Sequence, residues 1–224
     1  MRATFRILLA MALTSGSAGT LAQAQQGVLA PEDANEARLN RLQPPDQVMD
    51  AIGVRPGMAV AEIGAGRGRY VVQLAVRVGR AGRVYAEDID RAALQHCAER
   101  SRRWGLDQVE TVLGDTVHPG LPAGRLDLIL VISSYHHFSD PITLLRNARP
   151  ALKPEGILAI VEWLPRDDRE TEYGTPAQLA AQLRAAGFEL VRTDPRLRAN
   201  RLMIYLFRPD SAGRSASVSP RTPG

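Results

Sequence analysis

The stretch Ala61-Glu62-Ile63-Gly64-Ala65-Gly66-Arg67-Gly68 decides how this chain is read. A short, mostly apolar run, Met58 to Ile63, enters three glycines at alternate positions, and a helical pattern follows at once. Glycine is required where backbone turns sharply or must lie against a ligand with no side chain between them. A strand ending in such an elbow sets a ligand at the carboxyl edge of a parallel sheet, where α/β folds bind cofactors. The dinucleotide fingerprint is GxGxxG. Here the third glycine arrives one residue earlier, and Glu62 stands two positions before the first.

Outward from the elbow, strands and helices alternate. A helix is predicted over Arg67 to Val78, with Tyr70, Val71, Leu74, Ala75 and Val78 on one face. Arg83 to Glu87 reads as the second strand, with Asp88 at its end. Asp90 caps a helix running to about Trp104, and Gly105 stops it. Val109 to Leu113 is the third strand. Leu126 to Ile132 is the fourth, a nearly unbroken apolar run of the kind covered on both faces. Asp140-Pro141 opens a helix whose buried face is Ile142, Leu145, Ala148 and Leu152. Lys153 to Gly156 reads as a turn and Ile157 to Val161 as the fifth strand. Thr175-Pro176 caps a helix with Leu179, Ala180, Leu183 and Ala186 inward. Phe188 to Arg192 and Leu202 to Phe207 are the sixth and seventh strands. The alternation predicts an α/β fold, a doubly wound and mostly parallel sheet. The link between the last two strands is too short for a parallel crossover, so the seventh is expected to run antiparallel beside the sixth.

The flanks read differently. Arg2 and Arg6, the apolar Ile7 to Leu13, and Ala22-Gln23-Ala24 follow the order of a secretory signal peptide. The apolar part is too short to span a bilayer. Cleavage after Ala24 is expected, with a periplasmic destination and no stable membrane insertion afterwards; an unprocessed leader leaves the protein cytoplasmic. Residues 25–36 are polar and expected to be a flexible lead-in. Ala37 to Ile52 reads as helical, broken at Pro44-Pro45, with Asp46 capping the second half. The domain is expected over 37–208 and a disordered tail over 209–224, rich in Ser, Pro, Gly and Arg.

Formal net charge is +4, and the leader carries two arginines and no acid, so +2 remains without it. The arginines are scattered in short groups such as Arg100, Arg102 and Arg103, the pattern of a solvated helix face. Aromatic residues make up 5%, too few for base-stacking platforms, and no nucleic-acid partner is expected. The lone Cys97 excludes an internal disulfide and a multi-cysteine metal site.

The glycine loop, with Glu62 before it and Asp88 twenty residues beyond Gly68, resembles the first two motifs of class I S-adenosylmethionine-dependent methyltransferases. The resemblance covers roughly Arg38 to Phe207. It implies a Rossmann-like sheet of about seven strands and S-adenosyl-L-methionine as cofactor. Gly64, Ala65, Gly66 and Gly68 then wrap the methionine end, and Asp88, with Ile89 beside it, holds the ribose. Asp115, with Thr116, lies where the family contacts the adenine amine, and Ser133 where it touches the cofactor's amino group. Glu62 assists through water or by ordering the loop. The early third glycine and the antiparallel last strand weigh against a nicotinamide cofactor.

The resemblance also places Ser133-Ser134-Tyr135-His136-His137-Phe138 on the substrate side. Methyl transfer is an in-line displacement, and the protein's main task is alignment. A base is needed only if the nucleophile must lose a proton, and histidine suits that near neutral pH. His136 or His137 is the candidate base, and Tyr135 is expected to orient the substrate. Trp163, after Glu162, walls the acceptor pocket or covers the sheet edge. Adjacent histidines diverge, and no further ligand clusters with them, so no metal is expected. The acceptor is expected to be a small or medium molecule; the oligomeric state is left open. Export conflicts with a cytoplasmic cofactor pool, so the alternative is an exported, non-catalytic module binding a nucleoside or another small ligand on this fold.

Overall fold

The structure, a computed structural model, describes residues 29–164 and 176–210. The leader expectation, residues 25–28, the Thr175 cap and the tail from residue 211 lie outside the described residues.

Fourteen consecutive residues, 126–139, show how the sequence builds this molecule. β4 (Leu126–Ile132) sends Leu128, Leu130 and Ile132 into one apolar layer and Ile129 and Val131 into the other. That double burial is why the strand reads as a continuous apolar run. Around it lie β1 (Ala59–Ile63), β2 (Arg83–Asp88), β3 (Val109–Leu113), β5 (Leu152–Trp163), β6 (Phe188–Asp194) and β7 (Leu202–Pro209). The sheet order is β3-β2-β1-β4-β5-β7-β6. β1 to β5 are parallel; β7 runs antiparallel between β5 and β6, as the short link required. The chain winds outward from β1 to β3 and then returns to β4 on the other side of β1. That reversal leaves a crevice at the carboxyl ends of β1 and β4, where open α/β sheets bind ligands.

One layer packs under α1 (Ala34–Leu42), α2 (Pro45–Ile52), α3 (Arg69–Val78) and α4 (Arg91–Arg103); its core includes Met49, Tyr70, Leu74 and Leu94. The other packs under α5 (Pro141–Ala148) and α6 (Pro176–Ala185), with Leu145, Leu179 and Leu183. Two caps fall where the sequence placed them. Asp90 accepts from Ala92 N and Ala93 N, and Asp140 from Thr143 N.

Several expectations are corrected. Residues 29–36 are not a free lead-in: Leu29 and Glu36 are buried and anchor an otherwise exposed segment. Leu29 is buried, donates its N–H to Gln73 Oε1 at 2.8 Å and accepts from Gln73 Nε2 at 3.1 Å. α1 begins at Ala34, capped by Asp33. Asp46 lies inside the first turn of α2 and pairs with Arg77 at 3.1 Å instead of capping. α3 starts at Arg69, two residues late, because Gly68 takes a left-handed conformation ahead of it. Lys153 to Gly156 belong to β5. Leu126 pairs with Leu152 and Leu128 with Ile157, so the strand bulges there instead of turning. α5 ends at Ala148, so Leu152 joins the same buried layer from β5, and Leu144 is buried on the helix beside Leu145 and Ala148. The tail expectation fails at its start: Pro209 ends β7, and Asp210 pairs with Arg149 at 2.9 Å.

Arg100 is the largest departure. It is 1% exposed, not solvated, and its guanidinium meets Glu36 at 2.6 Å under α1. Arg103 and His96 hold Glu32 beside it. These contacts fasten the N-terminal segment to α4. Breaking a buried pair strands a charge and costs about 3 kcal/mol, whereas an exposed pair contributes about 0–1. Glu36→Ala is therefore expected to lower unfolding free energy by about 3 kcal/mol, and Arg103→Ala by less than about 1. Urea denaturation of the two variants measures this; equal losses contradict the assignment.

Candidate functional site

The elbow after β1 is fastened to β2 by three hydrogen bonds, and a fourth steadies the acid at the end of β2. Gly64 N–H and Ala65 N–H both donate to the Glu87 carbonyl, at 3.0 and 2.9 Å. Gly66 N–H donates to Asp88 Oδ2 at 2.7 Å, and Asp88 Oδ1 accepts from Asp90 N–H at 2.9 Å. The three glycines serve different needs. A Cβ on Gly64 would stand 2.6 Å from Ser134 Cβ, so the end of β4 presses directly on the elbow. Gly66 opens onto free space, with nothing within 4 Å of an added Cβ. Gly68 is different: its Cβ would meet Cys97 Sγ of α4 at 2.6 Å. The third glycine is thus needed for helix packing, not for ligand approach.

Beside the elbow lies a cavity of about 350 Å³. Its wall comes from Gly64 after β1, Asp88 and Ile89 after β2, Asp115 and Thr116 after β3, and Ser133 and His137 after β4. Seven of the expected residues therefore converge at one place, from four strand ends. Ala65, Gly66, Gly68 and Glu62 stand outside the wall. Glu62, buried beneath the elbow with Oε2 unpartnered, is pushed up to about 8, chiefly by burial. Arg69 opposes that shift and Asp88 adds to it.

Asp115 reaches the cavity wall, but its carboxylate is occupied. Oδ1 accepts from Val117 N–H at 2.8 Å and His118 N–H at 2.6 Å, which hold it below the usual carboxylate range. Tyr135 is corrected outright. It is 2% exposed, its ring lies in the layer beneath α5 and α6, and its hydroxyl donates to Gln182 Oε1 at 2.7 Å. It is a core residue and does not face the cavity. Trp163 packs partly buried against the opposite layer and is likewise absent from the wall.

The two histidines separate. His137 is exposed and lines the cavity. His136 turns to β5, its Nδ1 3.1 Å from Glu162 Oε2. Glu162 is fully buried and also accepts from Tyr135 N–H at 3.0 Å. Burial raises its pKa while His136 opposes the rise. The two imidazoles lie 4.0 Å apart between centroids.

Sequence reasoning missed Gln43. Its side chain, wholly buried, donates to Ser133 Oγ and accepts from Arg69, and its carbonyl accepts from the Tyr70 hydroxyl at 2.8 Å. Ser133 has φ +51°, a conformation a non-glycine residue holds only when its surroundings fix it. The break at Pro44-Pro45 was the only hint, because it leaves Gln43 at the end of α1 facing inward.

Residues 61–160 match the family model of a methyltransferase domain. The chain is 33% identical over 156 residues to nocamycin O-methyltransferase of Saccharothrix syringae, covering 68% of this chain and 55% of that protein. It is 31% identical over 116 residues to a ubiquinone/menaquinone biosynthesis C-methyltransferase of Idiomarina loihiensis, covering 51% and 46%. It spans about half the length of these curated relatives. Among solved structures, an S-adenosylmethionine-dependent methyltransferase from Aquifex aeolicus superposes with a TM-score of 0.69 at 24% identity, over 80% of this chain and 98% of that one.

The buried acid gives a pH test. Glu62 has an ordinary value of 4.5 and a folded value of about 8, so the native state holds a proton that the unfolded chain releases between them. Stability then falls as pH rises through that window. Glu62→Gln is expected to lose about 1 kcal/mol or more less than the parent between pH 6 and 8.5. Urea denaturation at both pH values measures it, and parallel losses contradict the burial argument.

Proposed function

We propose that this chain, which matches a methyltransferase domain over residues 61–160, is a class I S-adenosylmethionine-dependent methyltransferase that transfers a methyl group to a hydroxyl of a small or medium acceptor. One observation carries this reading: the bare Gly64 backbone at the elbow, the Asp88 carboxylate and the His137 imidazole share one cavity. The 33% identity to an O-methyltransferase supports oxygen as the receiving atom.

The residues present fit the cofactor. An ionised carboxylate has about four acceptor positions. Asp88 uses one on Gly66 N–H and one on Asp90 N–H, and the rest suit two ribose hydroxyls. Ile89, 60% exposed at the wall, offers an apolar face to a base. Gly64 puts bare backbone at the wall for the chain that bears the sulfur. The cofactor supplies an electrophilic methyl group on a positive sulfur. His137 takes the acceptor's hydroxyl proton, and His136, held by the buried Glu162, fixes the ring beside it. Gln43 keeps Ser133 in place at the tip of β4. Export is a separate proposal and rests on the pattern of residues 1–24 alone.

Two variants test the assignment. Asp88→Ala is expected to weaken S-adenosylhomocysteine binding about tenfold or more in calorimetry. His137→Ala should keep that affinity within about threefold and lose about a hundredfold in kcat, measured as labelled-methyl transfer to a panel of phenols and alcohols. Full turnover by His137→Ala on a substrate the parent accepts removes the base role. Unchanged binding by Asp88→Ala removes the ribose role.

A further inference from the structure

One buried acid at the cavity has no part in this chemistry. On β2, Val84 and Ala86 enter the layer under α3 and α4, while Tyr85 packs against the other layer. Glu87 follows Tyr85, on the sheet face away from Glu62. It is 2% exposed, yet it forms part of the cavity wall, and among the described residues its Oε1 has no hydrogen-bond partner. Gly114 makes the space: a Cβ there would come within 2.0 Å of that oxygen. A buried polar atom left without a partner is costly, and native proteins keep few of them. Here the atom belongs to the wall of a ligand cavity, where a bound molecule can supply the missing partner.

We propose that Glu87 is a cofactor-contact residue, which as a neutral acid donates a hydrogen bond from its carboxyl to the nucleoside part of the ligand. The nucleoside's identity rests on the methyltransferase reading. Adenosine offers ring nitrogens and ribose oxygens as acceptors, and a neutral carboxylic acid is a strong donor. The titratable groups around Glu87 are Asp88 on its own strand, Asp115 and His118 after β3, and His137 after β4; β1 presents Gly64. Two nearby carboxylates disfavour a third negative charge. Burial, then Asp88 and Asp115, push Glu87 up to about 8, against the Gly64 N–H, so it holds its proton at neutral pH. Asp115 is engaged with its own loop, and Glu87 supplies a contact from the sheet side that the glycine-loop pattern does not announce.

The ligand binds the protonated form, so affinity falls as pH rises through the free protein's value. Calorimetry with S-adenosylhomocysteine on the parent, Glu87→Gln and Glu87→Leu tests this between pH 7 and 9. At pH 7, Glu87→Leu is expected to bind about tenfold more weakly and Glu87→Gln within about threefold, because the amide keeps a neutral donor. From pH 7 to 9 the parent should lose affinity severalfold relative to Glu87→Gln. Glu62 and the ligand's own amino group titrate equally in both proteins and cancel in that ratio. Wild-type affinity in a folded Glu87→Leu, or a parent-to-Gln ratio constant across pH, overturns the inference. If Glu87→Leu shows no melting transition, the ratio decides by itself. No binding by the parent overturns the methyltransferase reading instead.

Discussion

The carboxylate of Asp88 closing on the Gly66 N–H at 2.7 Å is the contact on which the site depends. It ties the end of β2 to the elbow after β1, and the Glu87 carbonyl doubles the tie through Gly64 and Ala65. Elbow and acid are thereby fixed relative to each other by main-chain geometry, not by a flexible side chain alone. A carboxylate so placed is preorganised: it needs no reorientation to accept further hydrogen bonds. The topology provides the reason these groups meet. The reversal of winding beside β1 keeps any helix from covering the ends of β1 and β4, and the cavity opens there.

Three strands carry a buried glutamate one residue before their end: Glu62 on β1, Glu87 on β2 and Glu162 on β5. Each is expensive to bury. Among the described residues, only Glu162 of the three has a basic side chain directly against its carboxylate, His136. Such groups lower stability and concentrate where a fold does chemistry. On the opposite side, α1 and Gln43 brace the same edge. The Glu36–Arg100 pair holds α1 on α4, and Gln43 reaches Ser133 at the tip of β4. The N-terminal segment is thus part of the site's frame.

The fold was legible wherever the signal was local. β3 and β4 fall on the residues their apolar pattern predicted, and the caps at Asp90 and Asp140 needed only their own neighbours. The antiparallel last strand followed from the length of a link. What escaped depends on partners distant in sequence. Arg100 looked solvated because its partner, Glu36, is 64 residues away. Gly68 looked like part of a ligand loop because Cys97 is not its neighbour along the chain. Tyr135 sat in a stretch rich in site-type residues, but Tyr135–His137 form a 3-10 turn after β4, and its winding sends Tyr135 into the core while His137 faces the cavity. Glu87 was overshadowed by Asp88, since one residue's shift along a strand changes the face and nothing local says which face holds the space.

A crystal structure with S-adenosylhomocysteine tests the central claim most directly. The account requires the ligand in the cavity beside Gly64, both ribose hydroxyls within hydrogen-bond distance of Asp88, and the Gly66–Asp88 contact intact. A ligand bound elsewhere, or a ribose in that cavity with Asp88 turned away from it, contradicts the account.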